Sequence, residues 1–186
     1  MAPSTKLALA NALKAQLQKR FLDDITVKGL VEACEVNRQT FYYHFQDIYD
    51  LLCWLLEHEA ERALEGTACW QDALLAMFRY AQDNHLVIHH IYCSGGREYL
   101  EAQIRRVSRA VVAANLEPAA SRLSLSREDR EFLTDFFMYA VSGMMLGWFA
   151  GEMREEPEDI VERLSRLMDG AARQAAERFA MEEPVV

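Results

Sequence analysis

Six hydrogen-bonding side chains crowd one run of seven residues: Arg38, Gln39, Thr40, Tyr42, Tyr43 and His44. Guanidinium, carboxamide, hydroxyl, phenol and imidazole groups on one narrow helix suit the donor and acceptor edges of base pairs in a major groove, which admits an α-helix. Phe41 and Phe45, spaced i, i+4, point the other way and should face a core. The element that holds this helix is legible just upstream. Val27, Leu30 and Val31 form the inward stripe of a short preceding helix with Thr26 as its N-cap. After Cys34 and Glu35, Val36 can plug a turn, and Asn37 caps a second helix starting at Arg38. Thr26 to Phe45 therefore reads as a helix-turn-helix.

The run ITVKGLVEACEVNRQTFYYHFQDIYDLL resembles the DNA-binding segment of the TetR/AcrR family of transcriptional regulators, near the branch of dihydroxyacetone-kinase regulators, where RQTFYYHF is characteristic. A weaker likeness recurs at GWFAGEMREEPEDIVERL. The resemblance implies that Arg38, Gln39 and Thr40 read base edges. It likewise gives phosphates to Tyr42 and His44, with Tyr43 beside them, and makes Thr26 and Lys28 backbone anchors of the preceding helix. It also implies a homodimer on a palindromic double-stranded operator, its last two helices pairing with their copies. The chain departs from the family pattern twice: Glu35 stands at the usual turn glycine, and Gln46-Asp47-Ile48 stands where a phosphate-binding lysine is usual.

Net charge bears on that expectation. The chain carries −9, yet residues 1–50 balance six basic residues (Lys6, Lys14, Lys19, Arg20, Lys28, Arg38) with six acidic ones (Asp23, Asp24, Glu32, Glu35, Asp47, Asp50). The 14 basic and 23 acidic residues downstream carry the whole excess. A neutral module binds phosphate only through a locally basic face, so modest, salt-dependent binding per copy is expected. No run approaches the roughly 18 consecutive apolar residues of a membrane span, and MAPSTKLALANALK lacks a long apolar core with a cleavage site. A cytoplasmic chain without a membrane partner is expected. Cys34, Cys53, Cys69 and Cys93 form no CxxC pair and read as small buried side chains in a reducing compartment.

Taken in order, Ser4 can cap a helix to about Phe21 with Leu9, Leu13, Leu17 and Phe21 inward; its polar face shows Lys6, Lys14 and Lys19. A helix from Asp47 to about Leu64, stopped by Gly66, is expected to link head and body, with Trp54 as core or as the wall of a ligand site. Trp70–Cys93 is predicted helical with a break near Asp83-Asn84, and Ser94-Gly95-Gly96 ends it. Arg97–Leu116 is predicted helical, with Arg105, Arg106 and Arg109 either a solvated face or a grip for an anion. Pro118 should break that helix, leaving a loop from Glu117 to Ser126. From Phe132 to about Arg154 the pattern is apolar on nearly every side, so burial all round, with a second subunit as one wall, is expected. Pro157 to Phe179 supplies the last stripe. The expected dimer face is Phe136, Ala140, Gly143, Gly147, Leu164, Leu167, Met168 and Ala171.

The expected architecture is all-α: a three-helix head (1–46), a body of about five to six helices (47–181) dimerising through its last two helices, and a loose tail (182–186). Met77, Tyr80, Ile88, Tyr92, Phe137, Tyr139, Met144 and Trp148 either line a cavity for an apolar effector or fill the core. His85 and His89 share a helix face, and zinc there would need ligands such as His58 or Cys93; the histidines read instead as solvated or hydrogen-bonded, with no metal or cofactor expected. Nucleophile elbow, phosphate loop and HExxH motifs are lacking, so no enzyme is expected. The expected function is a homodimeric transcriptional regulator, a repressor, controlled by a small molecule or a protein co-regulator. The alternative is an interaction module of the same fold that has lost effective DNA binding.

Overall fold

The computed structural model describes residues 4–168 and 170–181; the expected tail at 182–186 lies outside them. The helices are α1 (Thr5–Leu17), α2 (Val27–Ala33), α3 (Arg38–His44), α4 (Ile48–Leu64), α5 (Trp70–Asp83), α6 (His85–Tyr92), α7 (Arg97–Arg122), α8 (Arg127–Ala150), α9 (Pro157–Met168) and α10 (Ala171–Met181), with a short 3-10 turn at Leu22–Asp24. Among the described residues there is no strand, and the all-α expectation holds. Two compact units divide the chain: residues 1–63 with 83–103, and residues 64–82 with 104–186.

In the first unit α1 packs on α2 and α6, and α2 on α3. Leu9, Leu13 and Leu17 of α1 are fully buried, as are Leu30 of α2, Phe41 of α3, Leu51 and Leu52 of α4, and Ile91 of α6. The sequence stripe on α1 overreaches by one turn. The helix ends at Leu17, so Phe21 is 39% exposed and Leu22 takes the buried place. At the far end of α2, Glu35 has φ 54°, and the Val36 N–H donates to the Val31 carbonyl at 3.0 Å. That left-handed closure is the one a glycine makes at least cost. Lys14 of α1 pairs with the largely buried carboxylate of Glu59 on α4.

In the second unit the core gathers Leu74 and Phe78 of α5, Val112, Leu116 and Ala120 of α7, Phe137, Val141, Met145 and Trp148 of α8, and Ile160 and Leu164 of α9. The Trp148 indole N–H donates to the Glu155 carbonyl at 2.8 Å, and its ring meets Phe78 edge-on at 5.1 Å. Arg79 of α5 donates to Glu158 of α9 at 2.7 Å, and this hydrogen bond holds the Glu158 carboxyl below its ordinary range. Ser108 and Ser142 are buried hydroxyls without a hydrogen-bond partner among the described residues.

Three sequence expectations change here. Pro118 does not break α7, which runs on to Arg122. Pro118 and Ala114, whose carbonyl loses its helical donor, lie on the exposed side, while Leu116 and Ala120 stay buried if the helix continues. The helix closes instead at Ser124, φ 52°, with the Leu125 N–H on the Ala120 carbonyl at 3.1 Å. The single stripe from Pro157 to Phe179 is two helices, because Gly170 adopts φ +73°; among the described residues the part beyond the head has seven helices, the expected body with its last helix divided. The cysteines are not generally buried: Cys53, Cys69 and Cys93 are exposed, whereas Cys34 is half-buried, donates to the Ala8 carbonyl at 3.4 Å, and has its pKa raised by burial.

Glu35→Gly should raise the unfolding free energy by about 0.5–1 kcal/mol by relieving the left-handed residue, which is also an acid at a helix C-terminus. Pro118→Ala should raise it by roughly 2 kcal/mol, less than the full helix-interior penalty because proline also restricts the unfolded chain. Urea unfolding of the full chain measures both.

Candidate nucleic-acid interface

The polar face is built by two caps and two phenylalanines. The Thr26 hydroxyl accepts from the Gly29 N–H at 3.2 Å and starts α2; the Asn37 carboxamide oxygen accepts from the Thr40 N–H at 2.8 Å and starts α3. Phe41 and Phe45 are 0% and 3% exposed. With those rings inward, Arg38, Gln39, Tyr42 and Tyr43 face solvent, Tyr42 at 58% and Tyr43 at 84%. Thr40 and His44 are half-buried beside them, and the imidazole meets the Tyr43 ring edge-on at 4.9 Å. The structure thus brings all six residues of the motif to one small helix. Thr26 and Lys28 stand exposed on α2, Lys28 within 3.8 Å of Glu32.

Charge around this face is finely divided. Of the lysines on α1, Lys14 is committed to Glu59 and Lys6 lies 5.7 Å over the Phe45 ring; Lys19, in the turn after α1, is exposed next to Arg20. The start of α4 carries two acid caps: the Gln46 N–H donates to Asp50 and the Asp50 N–H to Asp47, each at 2.9 Å. Carboxylates therefore occupy the ground where the family pattern puts a lysine.

Sequence reasoning missed the residues that hold the turn leading into α2. Asp23 accepts from the Gly95 N–H at 3.1 and 3.3 Å. A carbonyl only accepts, so His90 donates its Nδ1–H to Leu17, at 2.6 Å, with Phe21 edge-on to the imidazole at 4.7 Å. A Cβ on Gly96 would lie 2.7 Å from Leu22 and 3.0 Å from Ile91. The Gly95-Gly96 pair was the available signal, legible as a helix stop but not as a close contact.

The remaining candidates scatter. Ile88 is core of the first unit, and Tyr92 lies under the Arg97 guanidinium at 4.3 Å. In the second unit Phe137 and Trp148 are core, Met77 and Tyr80 are half-buried, and Tyr139 and Met144 are exposed. An internal space of about 10 Å³ between Trp70, Leu74, Val112, Phe137, Val141 and Ala172 holds no more than one water. Trp54 is half-buried between Phe45 and His58. Arg109 pairs with Asp135. His89 Nδ1 is 3.8 Å from the Cys93 sulfur, and no group of three or more potential metal ligands occurs among the described residues.

The expected dimer residues do converge. Phe136, Ala140, Leu167, Met168 and Ala171, with Leu164 buried as floor, line an open groove of about 570 Å³ between α8, α9 and α10. Gly143 and Gly147 continue it along α8, both exposed, and apart from the helix's own backbone no atom of the described residues lies within 4 Å of where a Cβ would stand. Helix α8 is thus not buried all round within one chain: Phe132, Phe136 and Tyr139 are 59%, 60% and 63% exposed. Its length and mean hydropathy of 1.2 also meet those of a membrane span, but half of that window is buried within the protein.

A family described as the transcriptional regulator C-terminal region, of TetR type, matches residues 69–170, more than half of the 186. The transcriptional activator DhaS of the dhaKLM operon from Lactococcus lactis is 29% identical over 91 residues, 47% of this chain and 49% of the relative, so the match spans about half the length of that relative. Among solved structures, the dihydroxyacetone kinase operon activator DhaS superposes with a TM-score of 0.71 at 18% identity, covering 92% of this chain and 97% of that one. The TetR family repressor AlkX from Dietzia superposes at 0.55 and 14% identity, covering 93% and 97%. The chain belongs to the TetR family of transcriptional regulators.

Proposed function

We propose that the chain is a homodimeric DNA-binding regulator that places one α3 helix in each of two successive major-groove faces of a palindromic duplex, about 34 Å apart. The observation that carries this is the solvent-facing set Arg38, Gln39, Tyr42 and Tyr43, fixed by the burial of Phe41 and Phe45. Arg38, Gln39 and Thr40 read bases in this reading; Tyr42, Tyr43, His44, Thr26 and Lys28 hold the backbone. The second copy docks on the groove and glycine stripe of α8 and α9, which cover one another's apolar face. A neutral head makes the pair necessary, since a dimer doubles the phosphate contacts. Control by a small-molecule effector or a protein co-regulator acts through different affinities for two states. The sign of control supported by the Lactococcus relative, named an activator, is activation rather than the repression expected from sequence. Cytoplasmic location follows from a duplex-DNA partner.

The acid caps Asp47 and Asp50 favour a second reading, a partner-binding module without useful DNA affinity. A gel shift on the promoter of its own operon separates the two: a shift at low salt supports the regulator, and none at any salt supports the module. On a bound duplex, Tyr42→Ala should weaken all sequences alike, about 10-fold, whereas Gln39→Ala should relax preference at particular bases by roughly 1–3 kcal/mol. Unchanged affinity in both variants would sink the assignment. Gly143→Leu and Gly147→Leu test the dimer. A Cβ at either position has open space around it among the described residues, so each should stabilise α8 by about 1 kcal/mol of helix propensity while sedimentation shows a monomer; a stable dimer would refute this interface.

A further inference from the structure

Asn37 and Thr40 form a small hydrogen-bonded unit whose polarity is fixed. The Thr40 backbone N–H, 2.8 Å from Asn37 Oδ1, can only donate, so the atom facing it is the amide oxygen. The Thr40 hydroxyl lies 3.0 Å from that same oxygen. An amide oxygen only accepts, so the hydroxyl's single proton is directed at Asn37 and away from solvent. What Thr40 then presents outward is an oxygen with lone pairs and no proton, together with its methyl group. The carboxamide oxygen is doubly engaged on the helix side.

Resting on the DNA-binding reading above, we infer that Asn37 is a positioning residue that makes Thr40 an acceptor-only reader of base edges, selecting an amino base, adenine or cytosine, over a keto base, guanine or thymine, on the strand it faces. In the major groove, adenine N6 and cytosine N4 donate; guanine O6 and thymine O4 accept. Against an acceptor-only hydroxyl the amino bases form a hydrogen bond. The keto bases place two lone-pair atoms together in a desolvated contact. Reorienting the hydroxyl to donate would break its bond to Asn37, so discrimination does not vanish by rotation. A threonine without such a neighbour can turn either way and reads both classes.

The experiment is selection of bound duplexes from a random library by the full chain, with sequencing. The wild type should yield a half-site with one column in which amino bases exceed keto bases by about 10-fold, the usual scale of one base contact. Thr40→Val keeps the shape and removes the oxygen, so that column should flatten while the others persist. Thr40→Ser keeps the hydroxyl and should retain the preference. Asn37→Gly preserves the start of α3 at small cost and frees the hydroxyl proton; keto bases should enter that column and no other, with melting and circular dichroism close to the wild type. If the column is unmoved by Thr40→Val, or flattened by it yet unmoved by Asn37→Gly, the inference is overturned while DNA binding stands. If the wild type enriches no duplex, the DNA-binding reading falls and this inference with it.

Discussion

Burial of Phe41 is the constraint on which the polar face of α3 depends. Helix α3 has seven residues, too few to hold together in water, where nucleation is unfavourable and short helices melt. It persists because Phe41 is fully buried, Phe45 closes its end, and Asn37 satisfies donors at its start. Once two positions four apart are fixed inward, helical geometry dictates where every other side chain points. The polar residues of α3 need no partners of their own to be aimed. Their direction is inherited from the two rings.

The same economy extends to charge. The head is neutral by count, but Lys14 is drawn inward to Glu59 and Lys28 is shared with Glu32. Arg38, Lys19 and Arg20 remain on the exposed surface, while Asp47 and Asp50 cap α4. In the proposed dimeric regulator, a head with so little free positive charge would attract phosphate weakly in each copy, and occupancy would depend on two copies and on a further signal. Tight single-copy binding would leave little for control to act upon.

Much of the head was legible in the chain because its determinants are local. Ser4, Thr26, Asn37 and Ser126 each precede a helix and each accepts from the N–H three residues on; such caps are decided within one turn. What sequence could not supply was which apolar face finds a neighbour. Pro118 looked like a break since the burial of Leu116 and Ala120 that sustains α7 is tertiary. Gly170 hid inside a continuing apolar stripe. Met144 and Tyr139 looked as fit for a pocket as Phe137 and Trp148, and only packing separates the exposed pair from the buried one. The clasp of Asp23, His90 and Gly95 joins residues more than 70 positions apart, beyond any periodicity.

Gly96 gives that clasp a mechanical character. Its missing side chain is the space into which Leu22, Ile91 and Leu52 have closed, to 2.7, 3.0 and 3.1 Å of the place a methyl group would need. The turn after α6 and the turn before α2 are therefore seated like parts of a joint with no backlash. A displacement of one is not absorbed between them as loose motion but passed on, and the turn that leads into α2 is seated by a contact made by no atom of the helix-turn-helix itself.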